Sequence, residues 1–496
     1  MSKKNRLILR RGLGRIFSLG LFSVLVILPV RAQVFTGDLT LSRQADVDTF
    51  SYIEITGSLR IVNAEEIANL AGLSSLISVG ADLAILDSEA LPNLDGLSNL
   101  ASVGANLTIA RNDVLTDLDG LSNLTSVGGG VAILGNIVLP NLDGLSGLTS
   151  VEGSLVISGN ALLVSLDGLR GVTSVGGTLE ITGNTMLTSL GGLGGLTSVS
   201  GGVSIRNNDA LASLNDLSGL ASVGGDVVIR MQGALTSLDG LGNLASVGGD
   251  LILSGNASLA SLDDLHRLTT VGTLILEDND GLPQLNGLDT LTSVRDDFVL
   301  RGNDGLTSLE ALASLSSVGG HVIIEDNTML PSLDGLEGII SVGGDLRING
   351  NTALGACSCA LRDLIFNESQ RIGGLIRIMN NAPGCNMAPD ILIIPCGVQT
   401  AVEDRSIVPE RFVLRANYPN PFHAQTTLAF DLPKRSDVRL ILYDAAGRTL
   451  ATLVEETLPP GVYRYTWQGR GVPSGVYYYR LEAGAYTQTR GMILVK

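Results

Sequence analysis

The four cysteines of this sequence all lie between residues 357 and 396. Cysteines this close pair as disulfides in exported proteins, or hold zinc where four thiolates converge. Cys357 and Cys359 are too close to bond comfortably with each other, so each is expected to bond with Cys385 or Cys396. The spacing lacks the Cys-x-x-Cys knuckles of zinc sites. We predict two disulfides and no metal here.

A second set of reactive groups is a column of aspartates. They occupy the Leu-Asp-Gly-Leu phrase, or a variant of it, at Asp95, Asp119, Asp143, Asp167, Asp239, Asp263 and Asp334. Stacked acids of this kind are able to bind calcium. Several copies of the phrase lack the acid, and the Gly/Asp nonapeptides of calcium-binding solenoids are missing. The favoured interpretation is an Asx-type turn in which the carboxylate accepts backbone N–H bonds, with no cofactor.

Catalysis would require a non-repeating cluster of acids with a base. Between residues 33 and 408 there is no Lys, and the histidines are His266 and His321, without a shared acid motif. We interpret both as solvated surface residues. No nucleophile elbow, HExxH sequence or phosphate loop occurs. We therefore predict no catalytic, cofactor-binding or metal site, and a protein that is not an enzyme.

One irregular surface feature stands out against the regularity of the chain. The middle residue of successive predicted strands is apolar in five consecutive copies: Val228, Ile252, Ile275, Val299 and Ile323. If these side chains point outward, they form an apolar stripe about 20 Å long. Such a stripe is typical of an interface. Strand propensity, or docking of the C-terminal domain, would explain it equally well.

These residues are positioned by a repeat of 24 residues whose valines run from Val79 through Val103 and Val127 onward. In one unit, Leu115, Leu118, Leu121 and Leu124 recur every three residues, and a pair two residues apart follows. The pair indicates a short strand, and the triplet spacing indicates turns that each send one Leu inward. We count about 15 turns, which at ~4.8 Å per turn make a rod about 70 Å long.

An amide residue follows the strand in most copies, as in Asn112, Asn136 and Asn160, with Ser88 and Gln232 as substitutes. We predict a structural ladder of side-chain amides that bond from turn to turn. The two ends of such a stack need caps. Residues Ser42 to Ser51 supply one, and a short amphipathic helix at Ala360 to Phe366 is expected at the other.

Composition sets the boundaries. Residues 1–32 have a basic start and a short apolar run, and they predict a signal peptide; removing their seven basic residues takes the formal net charge from -17 to -24. Residues 33–408 carry 42 acidic residues against 14 Arg, which disfavours nucleic acid as a partner. Trp467 and eight of nine Tyr lie after residue 417. We place a solenoid at 33–397, a linker at 398–410 and a second domain at 411–496.

The pattern Gly-x-Leu-x-Ile-x-x-Asn, followed by Leu-x-x-Leu-x-Gly-Leu-x-x-Leu, resembles the receptor L-domain family over roughly residues 35–397. The resemblance implies a leucine-rich β-helix. The predicted fold class is all-β: a right-handed leucine-rich β-solenoid, its C-terminal cap pinned by disulfides, followed by a small antiparallel β-sandwich. Receptor L domains have fewer turns, so their ligand surfaces do not transfer. An ordinary leucine-rich repeat is the close alternative.

The last domain alternates strands with turns, with strands expected at 427–432, 438–443, 461–467, 475–482 and 488–495. Its phrases Asn417-Tyr-Pro-Asn-Pro-Phe422, Tyr443-Asp-Ala-Ala-Gly-Arg448 and Met492-Ile-Leu-Val-Lys496 resemble the type IX secretion C-terminal sorting domain. That resemblance implies bacterial secretion machinery as a partner, and surface attachment or release of the cargo. An immunoglobulin-like stalk is the alternative.

Together these features predict an exported bacterial surface or extracellular protein that binds a glycan or protein ligand through the solenoid face. The alternatives are a surface-layer spacer without a ligand and, less favoured, a β-helix polysaccharide-active enzyme.

Overall fold

A computed structural model of the chain describes residues 33–62, 66–355, 365, 371–383, 385, 411–417, 419–423, 425–469 and 472–495. The predicted signal peptide and linker lie outside the described residues. So do Cys357, Cys359 and Cys396, and the predicted capping helix apart from Ile365.

Fifteen parallel strands form one continuous sheet, each paired in register with the strand of the next turn. The chain is thus mostly strand, and the sheet fits the predicted solenoid. The strands are Leu39–Leu41, Leu59–Val62, Leu83–Leu86, Leu107–Ala110, Val131–Leu134, Leu155–Ser158, Leu179–Thr182, Val203–Arg206, Val227–Arg230, Leu251–Ser254, Leu274–Glu277, Phe298–Arg301, Val322–Glu325, Leu346–Asn349 and Ile376–Met379. We call this the long sheet.

Two-residue strands, mostly Ser-Val, form a second face in three smaller parallel sheets. They are Val34–Phe35, Glu54–Ile55, Ser78–Val79, Ser102–Val103, Ser126–Val127, Ser174–Val175, Ser198–Val199, Ser222–Val223, Ser246–Val247, Thr270–Val271, Ser293–Val294, Ser317–Val318, Ser341–Val342 and Arg371–Ile372. Val151 bridges Val175 between the first two of these sheets.

The third face carries 3-10 helices in most turns, at the Leu-Asp-Gly-Leu phrase or at the equivalent position of a turn that lacks it. They are Ala71–Ser75, Asp95–Leu97, Asp119–Leu121, Asp143–Leu145, Asp167–Leu169, Gly191–Leu193, Asn215–Leu217, Asp263–Leu265 and Glu310–Leu312. An α-helix, Gln44–Asp48, buries Val47 at the N-terminal end and supplies the predicted cap there.

The inward side chains form one continuous core. In a typical turn Leu115, Leu118, Leu121 and Leu124 are all fully buried, and the strand contributes Val131 and Ile133. Burying a Leu contributes about 1.5–3 kcal/mol. Because every turn buries its residues only against neighbouring turns, the repeat stabilises the rod layer by layer.

The predicted amide ladder is confirmed. Nδ2 of Asn136 donates to the backbone oxygen of Ile109 at 2.9 Å and to Oδ1 of Asn160 at 3.3 Å. Its own Oδ1 accepts from the backbone N–H of Asn112 at 3.1 Å. These amides are fully buried, so the ladder pairs polar groups that burial would otherwise leave without partners.

Gln232 interrupts this ladder. Its Nε2 turns back to the oxygen of Arg230 at 2.7 Å, and its Oε1 is buried without a hydrogen-bond partner. The longer side chain therefore offers no oxygen to Asn208 in the preceding turn. A buried acceptor without a donor costs about 1–3 kcal/mol.

The residue just before the ladder adopts a left-handed backbone in turn after turn. Glycine takes this position in several turns, as at Gly159 (φ 70°) and Gly255 (φ 68°), but Met231 has φ 52°. Left-handed backbone costs a side chain such as Met about 1–2 kcal/mol, because Cβ crowds the following carbonyl. Met231 and Gln232 thus place two local defects in a single turn.

The C-terminal domain has two antiparallel sheets. One contains Val413–Leu414, Gln425–Leu432 and Gly461–Gln468, and the other contains Ser436–Tyr443, Thr449–Leu458, Gly475–Ala483 and Tyr486–Leu494. Residues of both sheets, including Phe430, Leu440 and Tyr479, share one buried core. The strand Thr449–Leu458 was not predicted from the sequence, although its threonines and apolar residues have high strand propensity.

Gln232→Asn should stabilise the solenoid by about 1–2 kcal/mol, because Asn restores an acceptor for Asn208 and removes the unpaired Oε1. Thermal unfolding by circular dichroism and amide exchange of residues 227–233 would measure this. Asn160→Gln is the matched control and should destabilise by a similar amount. No gain in Gln232→Asn would show that the ladder does not select for Asn.

Met231→Gly should stabilise the solenoid by up to about 1 kcal/mol, since glycine adopts φ near +50° without Cβ strain, although its unfolded state is more flexible. The same unfolding experiment applies. Gly159→Ala is the control. Its Cβ would meet only Gly135, at 3.7 Å, so any loss of stability would come from the left-handed backbone and not from a steric clash. A less stable Met231→Gly protein would contradict the strain argument.

Candidate functional site

The predicted apolar stripe forms one unbroken column on the long sheet. Val228 is the register partner of Ile252, Ile252 of Ile275, and the column continues through Val299 to Ile323. Ser204 precedes it and Arg347 follows it in the same column. The structure therefore brings all five residues together with polar residues at both ends.

Exposure differs along the stripe. Ile252, Ile275, Val299 and Ile323 are partly exposed, but Val228 is only 6% exposed. The expectation that all five would present apolar surface is therefore wrong for Val228. The accessible part of the stripe runs from Ile252 to Ile323.

A row of acids borders the stripe at the start of each strand. Oδ1 of Asp226 accepts the backbone N–H of Asp250 at 2.9 Å, and Oδ1 of Asp297 accepts that of His321 at 2.6 Å. Nδ1 of His321 accepts the N–H of Asp345 at 2.8 Å. These side chains form a second ladder, which was not predicted from the sequence. His321 is a member of it, not simply a solvated residue.

The other border of the stripe is the column of residues at the strand ends, which is charged except at Ser254: Arg230, Ser254, Glu277, Arg301 and Glu325. Arg301 donates to Glu325 at 2.8 Å and lies 3.5 Å from Glu277. These two carboxylates raise the pKa of Arg301. Three turns earlier in the chain, Arg206 and Arg230 are register partners in this column. This column was not predicted from the sequence, because its residue type changes from turn to turn.

The aspartate column at the corners differs from its prediction. In these turns the backbone N–H of the aspartate is the donor, and the acceptor is the side chain two residues earlier: Asn93 for Asp95 at 3.3 Å and Ser165 for Asp167 at 3.0 Å. The turn is thus formed by the side chain two residues before the aspartate, and the carboxylate of the column acid does not accept the backbone bonds predicted for it. Burial and the Asp239 carboxylate raise the pKa of Asp264, next to this column.

The glycine of the corner is required by close stacking. A Cβ on Gly144 would lie 1.7 Å from the backbone oxygen of Leu118 in the preceding turn. Gly144 is not among the residues with positive φ, so close stacking, and not a left-handed backbone, requires glycine there. Gly240 and Gly335 do have φ of 107°.

Cys385 is fully buried and takes part in a disulfide. The other three cysteines lie outside the described residues, so their pairing stays a prediction. In the described part of the chain no group of three or more His, Cys, Asp or Glu could hold a metal ion.

In the C-terminal domain the separate motifs meet in space. The backbone N–H of Phe422 donates to the oxygen of Ile493 at 2.9 Å, and the N–H of Ile493 donates to Oδ1 of Asn420 at 2.8 Å. The Asn417–Phe422 segment is therefore bonded to the last strand. Buried Tyr479 donates its hydroxyl to the oxygen of Arg415 at 2.7 Å.

The second motif is a closed turn. Oδ1 of Asp444 accepts the N–H groups of Ala446 and Arg448, both at 2.9 Å, and Oδ2 accepts Nε of Arg448 at 2.7 Å. These bonds, led by the backbone N–H of Arg448, lower the pKa of Asp444. Gly447 has φ 77°, which explains the glycine at this position.

Residues 416–496 match the family model of the secretion system C-terminal sorting domain. The predicted sorting domain is thereby confirmed. It indicates a protein exported by the type IX secretion system and located at the cell surface or outside the cell in bacteria. No curated protein matches the chain. Among the described residues, no helix has the length and apolar character that crossing a membrane requires.

Tyr479 gives the sorting domain a specific pH dependence. Burial raises its pKa to about 12, above the unfolded value of about 10. The contribution of the Tyr479 hydroxyl to the free energy of unfolding is therefore fully present below pH 10 and is lost as the pH rises towards 12. Trp467 is the only tryptophan of the chain, so its fluorescence reports unfolding of this domain. Tyr479→Phe should flatten the decline between pH 10 and 12. An equal decline in both proteins would refute the assignment.

Proposed function

We propose that the protein is a non-enzymatic binding or adhesion module at the bacterial surface, with its ligand site on the long sheet over the stripe. The observation that carries this proposal is the apolar column from Ile252 to Ile323. These side chains face outward in strands whose equivalents elsewhere are Thr108, Glu180 or Arg377. Contiguous apolar surface on an exported protein favours contact with a ligand.

The use of the acids supports a non-enzymatic role. Asp226, Asp250 and Asp297 accept backbone N–H bonds of the following turn, which is a structural task. His321 accepts a bond of the same kind. These groups are repeated members of a ladder, whereas a catalytic site requires a unique constellation.

The receptor L-domain resemblance and the right-handed, leucine-rich character of the solenoid belong to this proposal. The regular stack of three faces around a Leu core supports them. We propose no cofactor; calcium at the exposed corner acids is the weaker alternative.

A surface-layer spacer is the second candidate. The observation that favours it is the regularity of the long sheet, whose fifteen strands form a rod with repeated contacts and one continuous core. A spacer would use length alone, so the stripe would have no ligand.

Ile252→Asp and Ile275→Asp should abolish saturable binding of the exported protein to its ligand, because a charge in the stripe must be desolvated on contact. Binding would be measured against immobilised glycans and purified cell-surface proteins. Thr108→Asp, in the same column but outside the stripe, is the matched control and should bind normally. Circular dichroism would verify that every variant is folded.

Saturable binding that survives both stripe variants would place the ligand elsewhere on the protein. Folded wild-type protein that binds none of the probes would favour the spacer.

A further inference from the structure

Two arginines lie side by side on the long sheet at one end of the stripe. Arg206 and Arg230 are register partners in neighbouring strands, so their backbones are about 4.8 Å apart. Within the described residues, neither makes an ion pair with Asp or Glu, whereas Arg111, Arg301 and Arg347 do. Nε of Arg230 is buried and has no hydrogen-bond partner.

This arrangement is costly in the free protein. Like charges directly opposite each other in a sheet destabilise it. The same column alternates in sign further along, where Arg301 is bonded to Glu325 and lies close to Glu277. Residues 33–408 contain 42 acids for 14 arginines, so acidic partners are abundant in this part of the chain. A bound anion would relieve the repulsion between Arg206 and Arg230.

We propose that Arg206 and Arg230 bind one carboxylate of an extended protein segment whose aliphatic side chains lie along the stripe. The inference rests on the proposed function and names the chemistry of the ligand. Guanidinium groups donate pairs of hydrogen bonds to a carboxylate in a fixed planar geometry. Val228 belongs to the same strand as Arg230, and Ile252 to the next, so the charged and apolar parts of the site are continuous.

The composition of the face favours a protein segment over a glycan. Its apolar side chains are Ile and Val, and the aromatic residue of these strands, Phe298, points inward and is fully buried. Sugar rings stack best on exposed aromatic rings, whereas aliphatic side chains pack well on Ile and Val. Met231, 57% exposed beside Arg230, adds an adaptable apolar contact.

The surrounding charges restrict the ligand to few negative groups. Asp226 and Asp250 border the stripe on one side, and Glu277 lies further along the arginine column. A polyanion lying along the face would meet these carboxylates and be repelled. A segment with one acidic residue followed by aliphatic residues avoids that cost.

The test uses the exported full chain and two labelled peptides, blocked at both ends. One is Glu followed by alternating Val and Thr, and its twin has Gln in place of Glu. Fluorescence anisotropy should show the Glu peptide binding about tenfold or more tightly than the twin. The difference should vanish in Arg206→Gln/Arg230→Gln and persist in Arg301→Gln, which also removes one positive charge from the column.

A second measurement tests the anion site without a peptide. Sulfate should raise the melting temperature of the wild type and of Arg301→Gln more than chloride does at equal ionic strength. Arg206→Gln/Arg230→Gln should lose the part of this increase that comes from the paired arginines, keeping only the general effect of sulfate. An unchanged sulfate effect in that double variant would overturn the anion site.

The remaining outcomes separate the two proposals. If both peptides bind equally well and Ile252→Asp abolishes that binding, the stripe is a binding face but the carboxylate site is overturned. Polygalacturonate binding that requires the arginines would overturn the protein segment as ligand. Failure of both peptides to bind, with no specific sulfate effect, would overturn this inference, while the glycan and protein panel would still decide the proposed function.

Discussion

The solenoid depends on one constraint: each residue of a turn lies directly against its own counterpart in the next turn. The strands are parallel and in register, with backbones about 4.8 Å apart. Any residue type that stacks badly on itself is therefore penalised along the whole rod. Leu and Ile stack as a core, Asn stacks as a ladder of amides, and acids accept backbone N–H groups along one border. Charged side chains stack well only when their signs alternate, as at Arg301.

The same constraint makes departures from the pattern informative. Three of them occur within the single segment from Arg230 to Gln232: an arginine opposite another arginine, a methionine in left-handed backbone and a glutamine in the amide ladder. Natural proteins concentrate such local conflicts at functional or strained sites. The proposed carboxylate site includes Arg230 of this segment, and the accessible stripe begins in the next turn at Ile252.

The two parts of the chain meet different physical demands. The solenoid builds its core from thin aliphatic layers, which suits a rod; among its described residues the buried aromatic side chains are Phe298 in the stack and Phe50 at the N-terminal end. The sorting domain must form a core from two small sheets, and it does so with Phe422, Phe430, Trp467 and Tyr479. Its motifs, distant in sequence, meet where the Asn417–Phe422 segment bonds to the last strand. The export function thus resides in a self-contained unit with its own core.

The sequence by itself determined the period, the long sheet, the amide ladder, the stripe and the sorting domain, because each repeats a residue type or a specific phrase. It did not reveal the acid ladder with His321, the Arg206–Arg230 pair or the burial of Val228, which depend on neighbouring columns. The corner shows the limit most clearly. In the phrase Leu-Asp-Gly-Leu at Leu142–Leu145 the last three residues, Asp143–Leu145, form a 3-10 helix, yet in the same phrase at Leu238–Leu241 Gly240 has φ 107°. The equivalent of Gly144 in its preceding turn is Gly120, whereas the equivalent of Gly240 in its preceding turn is Asp216. Identical residues thus adopt two conformations, because the space available to them is set by the turn on which they stack.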